Sequence, residues 1–156
     1  GTSMARPAIA KRLVEIARKE GATNAFKAAA GINLVSSQPA DWDRQKALDA
    51  ATSIIQMNPG LKAIYCCNDT MALGAIQAVK NANKLGEIIV VGTDGAAEAL
   101  QSVEAGELSA TVAQDSAGIG AVSLEQMVNA VKSGAEINPD NVPETIPVDS
   151  YIVSKK

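Results

Sequence analysis

The sequence predicts a three-layer α/β/α fold built on a parallel sheet, and three observations carry that expectation. Short apolar runs bounded by Gly or Pro alternate with stretches whose apolar residues recur at helical spacing. The run Ile88-Ile89-Val90-Val91 is apolar on both alternating faces, as a strand covered on both sides of a parallel sheet requires. At 156 residues the chain has the length of about one domain and is large enough to bury a core without staples.

Residues 7–30 read as the first helix, with Ile9, Leu13, Ile16, Ala17 and Phe26 at near-helical spacing, Pro7 acceptable in the first turn and Gly21 a point that weakens or divides it. Residues 32–36, between Gly31 and Pro39, read as a short buried strand. A second helix begins near Asp41 or Asp43 and runs to about Met57, burying Leu48, Ala51, Ile54 and Ile55, and Asn58-Pro59-Gly60 stops it. Residues 61–67 form the next strand, and Asp69 is placed to cap a helix over 71–82. Residues 88–93 are the clearest strand of all. A helix over 96–104 ends at Gly106, a strand follows over 108–114, and a long helix fills 117–133 with Ile119, Val122, Met127 and Val131 turned inward and Gly134 as its stop. The Pro-punctuated stretch 138–147 is irregular and leads into a strand at 151–153. Strands joined by helices imply right-handed crossovers.

Composition narrows the chemistry. There is no His, and Cys66 and Cys67 are adjacent, so on a strand they point to opposite faces and read as small buried hydrophobes. Soft-metal sites and the common Ser/His or Cys/His catalytic pairs are therefore not available. The net charge of −3 is mild, and the basic residues of the first helix (Arg6, Lys11, Arg12, Arg18, Lys19, Lys27) read as its solvated face rather than a nucleic-acid footprint. No Gly-x-Gly-x-x-Gly follows a strand and no Gly-Lys-Ser/Thr loop occurs, so a nucleotide or other cofactor is not expected. No run approaches the ~20 apolar residues of a membrane span, and the start lacks the apolar core of a signal peptide. Gly1-Thr2-Ser3-Met4 reads as an expression remnant leading up to an initiator Met.

Four strand-ending loops carry residues suited to a polyol: Trp42, Asn68, Asp94 and Gln114. In an open α/β sheet the loops at the carboxyl ends of strands converge on one edge, so residues far apart in sequence can line one crevice. Each has an ordinary structural duty as well. Asn68 and Asp94 suit caps and turns, Gln114 suits loop backbone, and Trp42 suits a half-buried helix start. Taken together they match a sugar: an aromatic plane for its C–H face, Asp94 to accept, Asn68 and Gln114 to do both, and Arg18 to donate if the first helix begins near the same edge. No metal is needed for such a grip.

The runs Ser37-Gln38-Pro39-Ala40-Asp41-Trp42-Asp43-Arg44, Cys67-Asn68-Asp69-Thr70-Met71-Ala72-Leu73-Gly74, Val90-Val91-Gly92-Thr93-Asp94-Gly95 and Ala110-Thr111-Val112-Ala113-Gln114 resemble periplasmic sugar-binding proteins of the ribose and allose type, in order and spacing from about Ala17 onward. Trp rather than Phe at position 42 leans toward D-allose. The resemblance implies a type I periplasmic-binding-protein lobe of flavodoxin-like topology, with Arg18, Trp42, Asn68, Asp94 and Gln114 at its sugar contacts. Arg6, in a Gly-Thr-Ser-x-x-Arg stretch, rivals Arg18 for one position. Arg18 is preferred because its distance to Gly21 fits without an insertion.

The resemblance further implies the periplasm, an aldose ligand and membrane subunits of an ABC transporter as partners. It covers one lobe only, and it expects an apolar strand ahead of the first helix that residues 1–16 do not supply. Residues 1–16 are accordingly set apart as an atypical extension or tag plus helix, and 17–156 as the lobe. A lone lobe leaves one sugar face wet and is expected to bind weakly. Bare sheet edges lead to an expectation of homodimers, by exchange of a helix or strand. Rival readings are the effector core of a sugar-responsive repressor, a flavodoxin-like or phosphate-binding domain, and a half-protein with no ligand.

Overall fold

The computed structural model describes residues 5–134 and 145–155. Along them run α1 (Ala5–Ala28), α2 (Arg44–Met57), β1 (Ala63–Tyr65), α3 (Asp69–Asn81), β2 (Ile89–Asp94), α4 (Ala97–Glu104), β3 (Ala110–Gln114), α5 (Ser116–Ser133) and β4 (Ser150–Ser154). All five expected helices form within a few residues of their expected limits, and α1 passes Gly21 unbroken.

The sheet has the order β1-β2-β3-β4, with β1, β2 and β3 parallel and β4 antiparallel to β3. The expected parallel sheet forms over β1, β2 and β3, and the antiparallel β4 makes the whole a mixed sheet. Ser150 pairs with Gln114 and Ser154 with Ala110. The chain thus re-enters beside the end of β3, and from that point β4 can only run the other way.

One dry layer holds the architecture together. Ala72, Ala75, Ile76 and Val79 of α3 pack with Ile88, Val90, Ala99, Val103 and Leu108, and Ala51 and Ile55 of α2 join the same cluster. Val79, Val90 and Leu108 are fully buried, each worth roughly 1.5–3 kcal/mol against exposure. Helices α2 and α3 approach closely because Gly74 has no side chain: a Cβ there would lie 2.2 Å from the Arg44 carbonyl oxygen. On the other face, beside β1, Phe26 of α1 meets Tyr65 edge-on with ring centroids 6.2 Å apart.

A buried carboxylate links three of these elements. Asp69, 1% exposed, accepts from the Ala96 N–H at 2.7 Å and from the Thr111 hydroxyl at 2.7 Å. The β2 backbone passes so near that a Cβ on Gly92 would lie 2.2 Å from Asp69 Oδ1. Asp69 was expected to cap α3, but the cap is Asn68, whose Oδ1 accepts from Met71 N at 2.8 Å. That frees Asp69 to reach across to β3 and the start of α4.

Two other expectations fail. Residues 32–36 form no strand: residues 32–40 are irregular, and Ile32, Leu34 and Val35 are exposed. A groove of about 1160 Å³ runs between this segment, α2 and β1, so the run has no strand edge within hydrogen-bonding reach. In α5, Ile119, Met127 and Val131 do not face a core, since the helix buries none of its residues. Ile16 of α1 is likewise exposed, and the side chains of Ile9 and Leu13 lie outside the described residues, as does most of the 138–147 stretch.

Asp69→Ala should lower the unfolding free energy in urea by about 2–4 kcal/mol, because it orphans a buried N–H and a buried hydroxyl together. Gly92→Ala should cost a similar amount. A loss below about 1 kcal/mol for Asp69→Ala would show that the linkage is not structural.

Candidate functional site

The carboxyl ends of β1, β2 and β3 lie on one edge of the sheet, and Arg18 of α1 reaches that edge. Arg18, just past the middle of this helix, reaches down with both terminal guanidinium nitrogens. Its Nη1 donates to the Cys67 carbonyl at 2.7 Å and its Nη2 to Asp94 Oδ1 at 2.8 Å. Gln114 Nε2 donates to the same Asp94 oxygen at 3.2 Å. The plane of Trp42 lies under the cation, with Arg18 Cζ 5.6 Å from the ring centroid, within the range of a cation–π contact.

The local sequence explains how each group is held. Asp41 and Trp42 both take positive φ (50° and 63°), and the Asp43 N–H closes onto the Ala40 carbonyl at 2.8 Å. This is the pattern of a type I′ turn, unusual for a tryptophan and costing roughly 1–2 kcal/mol. Lys46 Nζ holds Asp41 at 2.6 Å, and Asp43 caps α2 by accepting from Lys46 N at 2.8 Å. Asp94 also sits in sparsely populated backbone space, with φ of 129°. Strained residues persist where the surrounding structure over-determines them, and such residues cluster at ligand sites.

Four of the sequence-selected residues, Arg18, Trp42, Asp94 and Gln114, are thus joined in one chain of contacts. Asn68 follows Cys67, whose carbonyl Arg18 takes, but its Oδ1 is committed to the α3 cap. Its Nδ2 and Asp94 Oδ2 make no hydrogen bond among the described residues, so a donor and an acceptor remain on this edge. The side chain of Arg6 lies outside the described residues. The ion pair is partly shielded, with the Arg18 side chain 17% and that of Asp94 39% exposed.

Sequence reasoning missed three contributors. The Cys67 carbonyl, a backbone group, gave no side-chain signal. Asp69 was masked by its adjacency to a better cap, although a glycine within an otherwise apolar strand, Gly92, was a sign of close approach by another group. Tyr65 lies beside Thr93, 3.5 Å from its hydroxyl, and burial raises its phenol pKa above the usual value. Among the described residues no group of His, Cys, Asp or Glu is arranged to hold a metal ion, and no helix is long and apolar enough to cross a membrane.

Burial disfavours the thiolate form of both cysteines. Burial first, then the neighbouring Cys67 and Asp69, pushes the Cys66 thiol up to about 12. Burial also raises Cys67, opposed by the Arg18 charge.

Comparison with known proteins places this geometry in context. Residues 9–136 match a periplasmic binding protein domain. The chain is 60% identical over 139 residues to the D-allose-binding periplasmic protein of Escherichia coli K12, covering 89% of this chain and 45% of that protein. It is 37% identical over 139 residues to the ribose import binding protein RbsB of the same organism, covering 89% and 44%. Among solved structures, an ABC transporter periplasmic solute binding protein from Actinobacillus succinogenes with bound D-allose superposes with a TM-score of 0.78 at 32% identity, over 87% of this chain and 46% of that one. A Caulobacter myo-inositol binding protein bound to myo-inositol gives 0.77 at 29% identity, over 89% and 46%. The chain spans about half the length of the curated relatives it matches.

The raised Cys66 pKa has a pH signature. Above the ordinary value of 9.0 the unfolded chain loses its thiol proton while the folded chain keeps it. The stability this confers is complete below pH 9.0 and is lost as pH climbs toward about 12. The urea midpoint of the parent protein should therefore fall relative to Cys66→Ala between roughly pH 9 and 10.5, with the two curves parallel below that window. Parallel curves throughout would refute the burial of this thiol.

Proposed function

The chain belongs to the periplasmic binding protein family, and on that premise we propose that Arg18, Trp42, Asn68, Asp94 and Gln114 form one jaw of a monosaccharide site, within a lobe spanning 17–156. The carrying observation is the state of Asp94. Its Oδ1 is fixed by Arg18 and Gln114, while Oδ2 makes no hydrogen bond among the described residues, beside an aromatic plane. A pyranose has that pair of demands, an apolar C–H face and a rim of hydroxyls, and a carboxylate oxygen whose partner is already bonded is a directional acceptor for one of them.

The roles divide by chemistry. Trp42 supplies the flat surface, Asp94 accepts the strongest hydrogen bond, Arg18 and the Asn68 amide donate, and Gln114 holds Asp94 in place while offering its own carbonyl. D-allose is the first choice of ligand, supported by the 60% identity to a D-allose-binding relative, with D-ribose second. The chain acts as a carrier and not a catalyst, in the periplasm, passing its aldose to the membrane subunits of an ABC importer. Closure of a second lobe over the sugar excludes water and completes the contacts, so binding by this lobe alone is weak.

Calorimetry with D-allose and D-ribose tests the reading, for the chain alone and with the amino-terminal lobe of the D-allose-binding relative added. The chain alone should bind with a Kd of about 1 mM or weaker, and the added lobe should tighten this by at least tenfold, or about 1.4 kcal/mol. Trp42→Ala and Asp94→Ala should each remove most of that gain without shifting the urea midpoint by more than about 1 kcal/mol of stability. Absence of heat under both conditions would leave a folded lobe without a ligand.

A further inference from the structure

Helix α5 carries Leu124, Met127, Val128 and Val131 at i, i+3, i+4 and i+7, one continuous apolar stripe. Met127 is 62% and Val131 79% exposed, and Glu125 and Lys132 fall outside the stripe. The sheet has a partly exposed apolar surface. Val90, Gly92, Thr111 and Ala113 turn toward α3 and α4 and are buried. The alternating residues face the other way: Ile89 and Val91 on β2, Val112 on β3, and Ile152, which pairs with Val112. Ile89 is 54% and Ile152 73% exposed. Helix α1 meets this face beside β1, through Phe26 on Tyr65.

We propose that two copies of this chain associate by reciprocal docking of α5, each helix laying its apolar stripe across the β2–β3–β4 face of the other. A sheet with parallel strands needs cover on both faces, and among the described residues Ile89 and Ile152 on one sheet face and the stripe of α5 are left exposed. Such a pair is self-complementary under a two-fold axis, where the helix of each copy meets the sheet of the other. Asp115 alone separates β3 from α5 and caps the helix, its Oδ1 accepting from Gly118 N at 2.9 Å, and α5 buries none of its residues against its own sheet. Short, constrained hinges of this kind favour exchange between copies.

The area suffices for a reversible dimer. With 18 residues, α5 is about 27 Å long and about 10 Å across, so it covers about 270 Å² of sheet and hides a similar area of its own. Two reciprocal dockings then remove about 1,100 Å² from water, near the lower bound for specific association.

Sedimentation velocity across roughly 1–200 µM should show a monomer–dimer equilibrium. The double variant Leu124→Lys, Val131→Lys changes only exposed positions, so its circular dichroism and thermal midpoint should match the parent. Its dimer affinity should fall by more than about 100-fold, because each substitution occurs twice in a symmetric interface. In a sample mixing labelled and unlabelled protein, isotope-filtered NOEs should connect the Met127 methyl of one copy to the Ile152 methyl of the other. A monomeric mass throughout the range, or a dimer that survives the double variant, overturns the proposal. The sugar reading is untouched by either result.

Discussion

A single buried carboxylate sets the geometry on which the rest depends. Asp69 begins α3, ties the start of α4 through the Ala96 N–H, and holds the first half of β3 through Thr111. The three strand ends that carry Asn68, Asp94 and Gln114 are therefore positioned by one group. An ion this deep is tolerable only with its oxygens satisfied, and the two hydrogen bonds do that. The glycine at 92 is the steric counterpart: the strand can pass the carboxylate only without a Cβ. Fold and site share this linkage, so the strength of the scaffold is also the precision of the edge.

Arg18 plays the corresponding part for the outer layer. It spans from α1 to the ends of both β1 and β2, through the Cys67 carbonyl and Asp94, and lies over Trp42. The planar guanidinium can serve an amide carbonyl, a carboxylate and an indole face at once, which an ammonium cannot. Because it is only partly buried, the ion pair itself adds little to stability. Its effect is directional: it fixes which oxygen of Asp94 is engaged.

Much of this was legible in the sequence, and the failures have definite causes. Helix limits followed from caps and stops such as Asp43, Asn58 and Gly134, all local signals. The strand ends were found because apolar runs stop where polar residues begin, at Asn68, Asp94 and Gln114. What failed was nonlocal. Residues 32–36 have the composition of a strand, but a strand exists only against a neighbour at the right distance, and the groove beside β1 removes that neighbour. The stripe on α5 was correctly periodic, yet periodicity says that a face is apolar and not what lies opposite it. The antiparallel direction of β4 depends on where a long connection returns, which composition does not encode. The contact of Arg18 with Asp94, 76 residues apart, is likewise nonlocal, and no spacing within the first helix announces it.

The backbone at Trp42 has a consequence for how this position can change over generations. The residue sits at φ of 63°, where glycine would relieve the conformational cost of roughly 1–2 kcal/mol. Glycine is one nucleotide away from the tryptophan codon, along with arginine, leucine, serine and cysteine. No aromatic residue is. Drift that favours a more stable chain therefore leads directly to loss of the indole, and phenylalanine or tyrosine can be reached only through an intermediate with no ring at this position. Where the chain is under selection to keep an aromatic plane there, that plane is held against a thermodynamic gradient, and relaxed selection should erase it early.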